Sequence, residues 1–242
     1  MTGVADTNKG MDARLLFVHS PLVGPGTWDL VAADLAGRGY QVGGTDLTGT
    51  LTAGPPYCVR QAETIARGTS SQPAILIGHS GAGPLLAAAG AISGQVRGYL
   101  FVDAGLPIPG QTWMQTVPPE LAAQVRGMAD DRGWLPPWPQ WWGDEAVAEL
   151  IPDPAARRPF TAGCPPLPLA MFEEVHPPAP QWPDAPAAPA AYLQLSEAYE
   201  DQAARAAELG WPVAERMSHH LAPLTHSALV AESLHELLGQ LP

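Results

Sequence analysis

Two cysteines, twelve basic side chains and no long uninterrupted apolar run are the scarcities that narrow the choices for this 242-residue chain. Cys58 and Cys164 stand 106 positions apart and outside any CxxC or Cys/His ligand spacing, which supports neither a disulfide framework nor a zinc site. The 12 Lys and Arg are scattered among 24 Asp and Glu, for a formal net charge of -12. Such a chain has no basic stripe to track a phosphate backbone and is repelled by anionic lipid, so neither nucleic acid nor membrane is an expected partner. Met1 to Asp12 contains no apolar h-region, and the longest apolar stretch, Ala82 to Ile92, is broken by Gly83, Pro84 and Gly90. The reading is a cytoplasmic protein, monomer or homodimer, with neither signal peptide nor membrane span. No glycine-rich phosphate loop follows the first strand and no His/Asp/Glu cluster has metal spacing, so no cofactor and no metal are expected.

What is present is 46% apolar residues arranged in short runs bounded by turn formers. Leu15 to His19, Gln41 to Gly43, Ala74 to Ile77, Tyr99 to Val102, Ala191 to Leu195 and Val213 to Met217 read as strands. Most are unbroken rather than alternating, as in strands covered on both faces. Helical segments fall between them, at Trp28 to Ala36, Val59 to Ala66, Pro84 to Ala91, Glu197 to Leu209 and Ser227 to Leu238. This alternation predicts an α/β fold: an open, doubly wound, mostly parallel sheet of about six strands.

One stretch breaks the pattern. Gly105 to Pro189 holds 19 of the 28 prolines and six of the eight tryptophans. It is too long for a bare loop, and Pro119 to Ala129 and Asp144 to Leu150 read as helices, which predicts a helical, Pro/Trp-rich cap. The chain therefore divides into a frayed N-terminal segment over 1–12, a core over 13–104, a cap over 105–189 and the rest of the core over 190–242. Near the cap's end, Glu173, Glu174 and His176 read as a solvated helix face.

The third strand runs into Gly78-His79-Ser80-Gly81-Ala82 and then directly into an apolar helix. Turning from strand to helix within one residue strains the backbone at Ser80 and requires small side chains two positions away, which Gly78 and Ala82 satisfy. The turn lifts the serine hydroxyl to a helix N-terminus, where backbone N–H groups and the dipole favour a developing anion. Pro84 is tolerated because first-turn N–H groups lack an intrahelical acceptor.

These features resemble the α/β-hydrolase fold family. Phe17-Val18-His19-Ser20 is similar to its first core strand and oxyanion loop, Thr45-Asp46-Leu47 to the end of the next strand, Gly78 to Ala82 to its nucleophile elbow, and Met217 to Leu238 to its histidine loop and last helix. Three residues separate Met11 from Leu15, so the family's two leading strands are expected to be absent. The resemblance implies Ser80 as nucleophile and, from Ser218-His219-His220-Leu221-Ala222, His220 as base, with His219 the alternative and His226 placed at the start of the last helix. Chain order leaves two acids: Asp103, which closes the fourth strand in a segment resembling the acid position of haloalkane dehalogenases, and Glu197, at the more usual family position. Asp103 is preferred and Glu197 is the second candidate. His19 reads as a structural, loop-bonding histidine.

The oxyanion hole implied by the family combines the N–H of Gly81 with one near Pro21, which has none. Either Leu22 supplies the second donor or the hole is incomplete; Ser20 offers a hydroxyl or serves as a turn residue. Pro21, His79, Trp138, Trp141 and Trp142 are read as bordering an apolar or aromatic small-molecule substrate, with His79 directly before the nucleophile and packed beneath it; the alternative for the tryptophans is that they only hold a proline-rich cap together, with at least one of Trp138, Trp141 and Trp142 exposed or facing the pocket. The expected function is cleavage of an ester or thioester through an acyl-enzyme on Ser80. The alternatives are cofactor-free acid/base chemistry, such as C–C cleavage, cyanohydrin lysis or cyclisation, and a ligand receptor with a slow triad.

Overall fold

The computed structural model describes residues 13–179 and 181–241. The expectation for residues 1–12 lies outside them. In chain order the elements are β1 (Arg14–Val18), α1 (Asp29–Gly37), β2 (Val42–Thr45), α2 (Thr48–Thr52), α3 (Tyr57–Gly68), β3 (Ala74–His79), α4 (Gly83–Ser93) and β4 (Val96–Val102). There follow α5 (Trp113–Thr116), α6 (Pro119–Gly127), β5 (Trp134–Leu135), α7 (Asp144–Leu150), α8 (Pro154–Gly163), β6 (Leu167–Pro168) and α9 (Leu169–Glu173). The chain then returns through β7 (Ala190–Gln194), α10 (Glu200–Glu208), β8 (Val213–Glu215), α11 (Ala222–Thr225) and α12 (Ser227–Leu238).

Six parallel strands form one sheet in the order β2-β1-β3-β4-β7-β8. Among the described residues no strand precedes β1. The unbroken apolar runs are explained by the pleat, which sends successive side chains to opposite faces that are both covered. Leu15, Phe17, Ile75, Ile77, Leu100 and Val102 pack on one face against Val31 and Leu35 of α1 and Val230 and Leu234 of α12. Their neighbours Leu16, Val18, Leu76, Tyr99 and Phe101 pack on the other against Ile65 of α3, Leu86 of α4 and Ala206 of α10. Each fully buried Leu, Ile, Val or Phe stabilises the fold by roughly 1.5–3 kcal/mol before entropy is counted.

The sheet winds outward in both directions from β1 and β3, and the carboxyl ends of neighbouring strands at such a reversal open a crevice suited to a ligand. Over that end lies the segment between β4 and β7, with helices α5 to α9 and the small antiparallel pair β5-β6. Two apolar clusters hold it down. Met114, Val125, Trp141 and Phe172 meet Leu51 of α2 and Tyr57 of α3, while Val147, Ile151 and Phe160 meet Val23 and Leu221 of the core loops.

A polar latch adds to them, and it corrects the expected solvated face. Only Glu173 is exposed, paired with Arg126 at 2.9 Å. Glu174 is half-buried and its carboxylate accepts from the N–H groups of Tyr57 and Cys58, capping α3 where Pro56 offers no side-chain acceptor. His176 is buried beside it. Among the described residues, no helix is long and apolar enough to cross a membrane.

Candidate active site

The turn after β3 is as tight as its sequence requires. Ser80 has φ 57°, in the left-handed region, at the start of a short 3-10 turn that runs into α4. A β-carbon on Gly78 would press to 2.9 Å from the Leu86 side chain, and Ala82 is fully buried. Gly83 faces a stricter limit, since a β-carbon there would lie 2.0 Å from the Gly105 carbonyl oxygen. The small residues thus let α4 close onto both β3 and the loop after β4, leaving Ser80 only 9% exposed.

Asp103 ends β4 in the left-handed region as well, with φ 43°, a conformation Asp tolerates better than most residues. Its N–H donates to the Leu193 carbonyl at 2.8 Å, and the Tyr192 hydroxyl holds the next residue by donating to the Ala104 carbonyl at 2.7 Å. The carboxylate is fully buried. Leu195 and Ser196 each donate an N–H to Oδ1 at 2.9 Å, and the Ser196 hydroxyl donates to Oδ2 at 2.6 Å. Burial alone would raise this carboxyl, but the bonds and charge of His220 and the donors of Ser196 and Leu195 outweigh it and hold it below the ordinary carboxylate range.

The structure brings Ser80, His220 and Asp103 into one line. His220 Nδ1 lies 2.7 Å from Asp103 Oδ2 and Nε2 lies 3.0 Å from Ser80 Oγ. An ionised carboxylate only accepts, so Nδ1 carries the proton and Nε2 is left to accept from the serine. Glu197 is not part of the line: it sits exposed in a 3-10 turn after β7. His219 is also turned elsewhere, accepting from the Leu221 N–H at 3.2 Å and facing the Thr225 hydroxyl at 2.9 Å. His226 precedes α12, as expected.

The residues expected to border substrate differ in their surroundings. His79 is buried beneath His220, with ring centroids 4.6 Å apart, and donates from Nε2 to the His220 carbonyl at 2.9 Å. Trp141 is buried against Phe172 and spends its indole N–H on the Pro136 carbonyl at 2.8 Å, so it packs the covering segment. Trp142 is exposed to solvent. Trp138 does face the site, its ring 6.5 Å from that of His220.

The loop after β1 is organised around its polar side chains. His19 donates from Nδ1 to the Ser20 carbonyl at 2.7 Å and accepts the Leu47 N–H on Nε2 at 2.9 Å. The Leu22 N–H, one expected donor to an oxyanion, is directed to Ser20 Oγ at 3.3 Å. Ser20 Oγ itself would sit 3.0 Å from a β-carbon on Gly81, and Pro21 borders the same position. Among the described residues nothing accepts the Ser20 hydroxyl proton. That hydroxyl, buttressed by the Leu22 N–H, is therefore available beside the Gly81 amide.

Tyr199 is the group that sequence reasoning missed. Its ring stacks on His220, centroids 5.1 Å and planes 9° apart, and its hydroxyl lies 3.5 Å from Ser80 Oγ. Its position at the opening of a helix-like segment carried no signal of this. Among the described residues, no group of three or more His, Cys, Asp and Glu could hold a metal ion.

Burying His79 has a measurable consequence. Its pKa is pushed down to about 3, first by burial and then by the neighbouring His220 charge, against opposing pulls from Asp103 and the His220 carbonyl. The unfolded chain takes up this proton near 6.5, so between pH 6.5 and about 3 the unfolded state binds more protons and stability falls with pH. One such group accounts for up to about 1.4 kcal/mol per pH unit. Asp103 adds its loss only further down, as pH drops from 3.8 through its lowered folded value. Urea midpoints are expected to decline steadily below pH 6.5 and to decline less steeply in His79→Gln, which keeps a donor for the His220 carbonyl; parallel slopes would contradict a neutral buried His79.

Residues 14–233 match the Alpha/beta hydrolase family. No curated protein matches the sequence. Among solved structures the chain is similar to an extracellular α/β-hydrolase from a Paenibacillus species, at 18% identity and TM-score 0.70 over 91% of this chain and 98% of that one. It is similar to tomato methylketone synthase I in complex with 2-tridecanone, at 17% identity and TM-score 0.71 over 96% and 100%. It is also similar to a pyrethroid hydrolase from Sphingobium faniae JZ-2, at 21% identity and TM-score 0.63 over 93% and 96%. At these identities the likeness is one of fold.

Proposed function

The chain belongs to the alpha/beta hydrolase family, and from that premise we propose that it is a serine hydrolase cleaving an ester or thioester of an apolar small molecule. The observation that carries the reading is the line from Asp103 Oδ2 to His220 Nδ1 at 2.7 Å and from His220 Nε2 to Ser80 Oγ at 3.0 Å, ending on a serine in a strained strand-to-helix turn. A serine at its free pKa is a weak nucleophile, and an oriented imidazole removes that obstacle. His220 takes the hydroxyl proton as Oγ bonds to the carbonyl carbon, and later returns it to the departing atom. A water deprotonated by His220 then releases the acid and restores Ser80. Asp103 fixes the tautomer and stabilises the imidazolium.

The negative charge on the carbonyl oxygen meets the Gly81 N–H, in the 3-10 turn that leads into α4, and the Ser20 hydroxyl, which stands in for the amide that Pro21 lacks. Trp138, backed by Phe160, supplies apolar surface beside His220, and Leu22 does so beside Gly81. An apolar substrate accords with the 2-tridecanone of the tomato protein and the pyrethroid named for the Sphingobium enzyme. The two buried free thiols suit a reducing compartment such as the cytoplasm.

Pro21 also favours a second reading, in which Ser80 and His220 act as an acid/base pair without acylation, for C–C cleavage or cyanohydrin lysis. Rapid-mixing hydrolysis of a short p-nitrophenyl ester separates the two. Acylation predicts a burst of nitrophenolate approaching one equivalent per chain when deacylation is the slower step, and otherwise steady turnover that Ser80→Ala abolishes. Cleavage of a cyanohydrin or β-diketone with no ester turnover at all would select the acid/base reading, and tight ligand binding with no turnover of either would select a receptor.

A further inference from the structure

The stacked phenol of Tyr199 is more than packing. The 3-10 turn Glu197–Tyr199 hangs from Asp103 through the Ser196 N–H at 2.9 Å and the Ser196 hydroxyl at 2.6 Å, so the same carboxylate that orients His220 also sets the position of Tyr199. The Ser80 proton is directed to His220 Nε2, which leaves the phenol as the donor in the 3.5 Å contact between the two hydroxyls. Burial pushes the Tyr199 pKa up to about 12, against the lowering pull of the Ser80 contact, so the phenol stays protonated and able to donate. The neighbourhood of Oγ thus has two parts. Gly81 and Ser20 form one, and His220 with Tyr199 stacked on it forms the other.

A departing group must come within reach of His220 Nε2, because that is where its proton comes from. The Tyr199 hydroxyl borders the same place. Resting on the serine-hydrolase reading, we propose that Tyr199 is a further catalytic residue, whose hydroxyl donates a hydrogen bond to the leaving-group atom and selects oxygen over sulfur. As the tetrahedral intermediate collapses, the bond from carbon to the leaving oxygen breaks and its electron pair stays on that oxygen. The proton on His220 Nε2 moves to the same oxygen. The Tyr199 O–H bond remains intact and only donates. Sulfur is a weak acceptor and leaves readily without such help, so a thioester gains little from it.

Tyr199→Phe tests the assignment, because it keeps the ring stacked on His220 and removes only the hydroxyl. Wild type and variant are compared on phenyl acetate and S-phenyl thioacetate, with fluorophosphonate labelling of both proteins. The expected result is a loss of roughly 10- to 100-fold in kcat/KM on the oxygen ester and less than about threefold on the thioester, the scale of one hydrogen bond to developing charge. Equal losses on both substrates would mean that Tyr199 merely positions His220, and no loss on either would mean that it is only packing; each overturns the proposal. If wild type neither labels nor turns over either acetate, the serine-hydrolase reading itself has failed and this role fails with it.

Discussion

Replacing Ser80 by alanine is expected to lower ester turnover on the order of 10⁴- to 10⁶-fold in kcat with the fold intact, and His220→Ala to do nearly the same. The two losses are nearly equal because the residues act as a unit: without the imidazole the Ser80 proton has nowhere to go, and without the hydroxyl the imidazole has nothing to activate. The residual rate comes from substrate binding and oxyanion donors alone. Ser80→Ala removes one oxygen from a site that is 9% exposed and costs little stability, so circular dichroism and melting should match wild type. His219→Ala is the internal control. That ring accepts from the Leu221 N–H and meets Thr225, and makes no contact with Ser80, so its loss should change turnover only a few-fold. A larger effect from His219 than from His220 would contradict the assignment of the base.

The second large effect is expected at Asp103. An asparagine there presents an amide N–H to His220 Nδ1, which must then accept, forcing the ring proton onto Nε2. In that tautomer His220 cannot take the Ser80 proton, and a loss on the order of 10⁴-fold in kcat follows, as for the equivalent change in other serine hydrolases. The pH dependence separates this from simple misfolding: the tautomer defect is a loss of kcat at unchanged KM, and it eases at alkaline pH, where hydroxide deprotonates the nucleophile without the imidazole. Asp103 also accepts from Leu195, from Ser196 N–H and from the Ser196 hydroxyl, so part of the cost will appear as lower stability. Glu197→Gln, at an exposed position, should stay within about twofold of wild type in kcat/KM by the usual behaviour of surface substitutions. A reversed order, with Glu197→Gln the more damaging change, would require a different arrangement around His220.

The parts of this molecule that were legible in its sequence are those governed by short-range rules. A short apolar run of strand length flanked by turn formers suits a strand covered on both faces, and each run read that way became a strand of the sheet. The strained turn at Ser80 was legible for the same reason, because Gly78, Ala82 and the helix after them are consequences of one local geometry. Where side chains carry little information the edges blurred: β2 extends through Gly44 and Thr45, and β4 begins at Val96, residues that no apolar period marks. Helix α8 went unread because Pro159 sits inside it.

What the sequence withheld depends on contacts between distant segments. The choice between Asp103 and Glu197 turns on how the loop after β7 folds over the end of β4, a pairing of residues more than ninety positions apart. The same loop swings Tyr199 onto His220, which no local pattern announces. Tryptophans show the limit most plainly. Trp182 packs edge-on against Tyr99 and Trp211 on one face of the sheet and Trp113 meets Phe172, while among the described residues Trp138 is the tryptophan whose ring meets that of His220. Composition indicated an aromatic-rich cover; which ring faces the site was decided by packing among the short helices.

Intact-protein mass spectrometry after incubation with a fluorophosphonate and, separately, with a short-chain p-nitrophenyl ester tests the activated serine most directly. Wild type and Ser80→Ala are run side by side, both checked for folding. A single stoichiometric phosphonyl adduct on wild type and none on the variant is the predicted result. A folded wild type that acquires no adduct from either reagent, or a variant that labels as readily as wild type, would contradict Ser80 as the nucleophile.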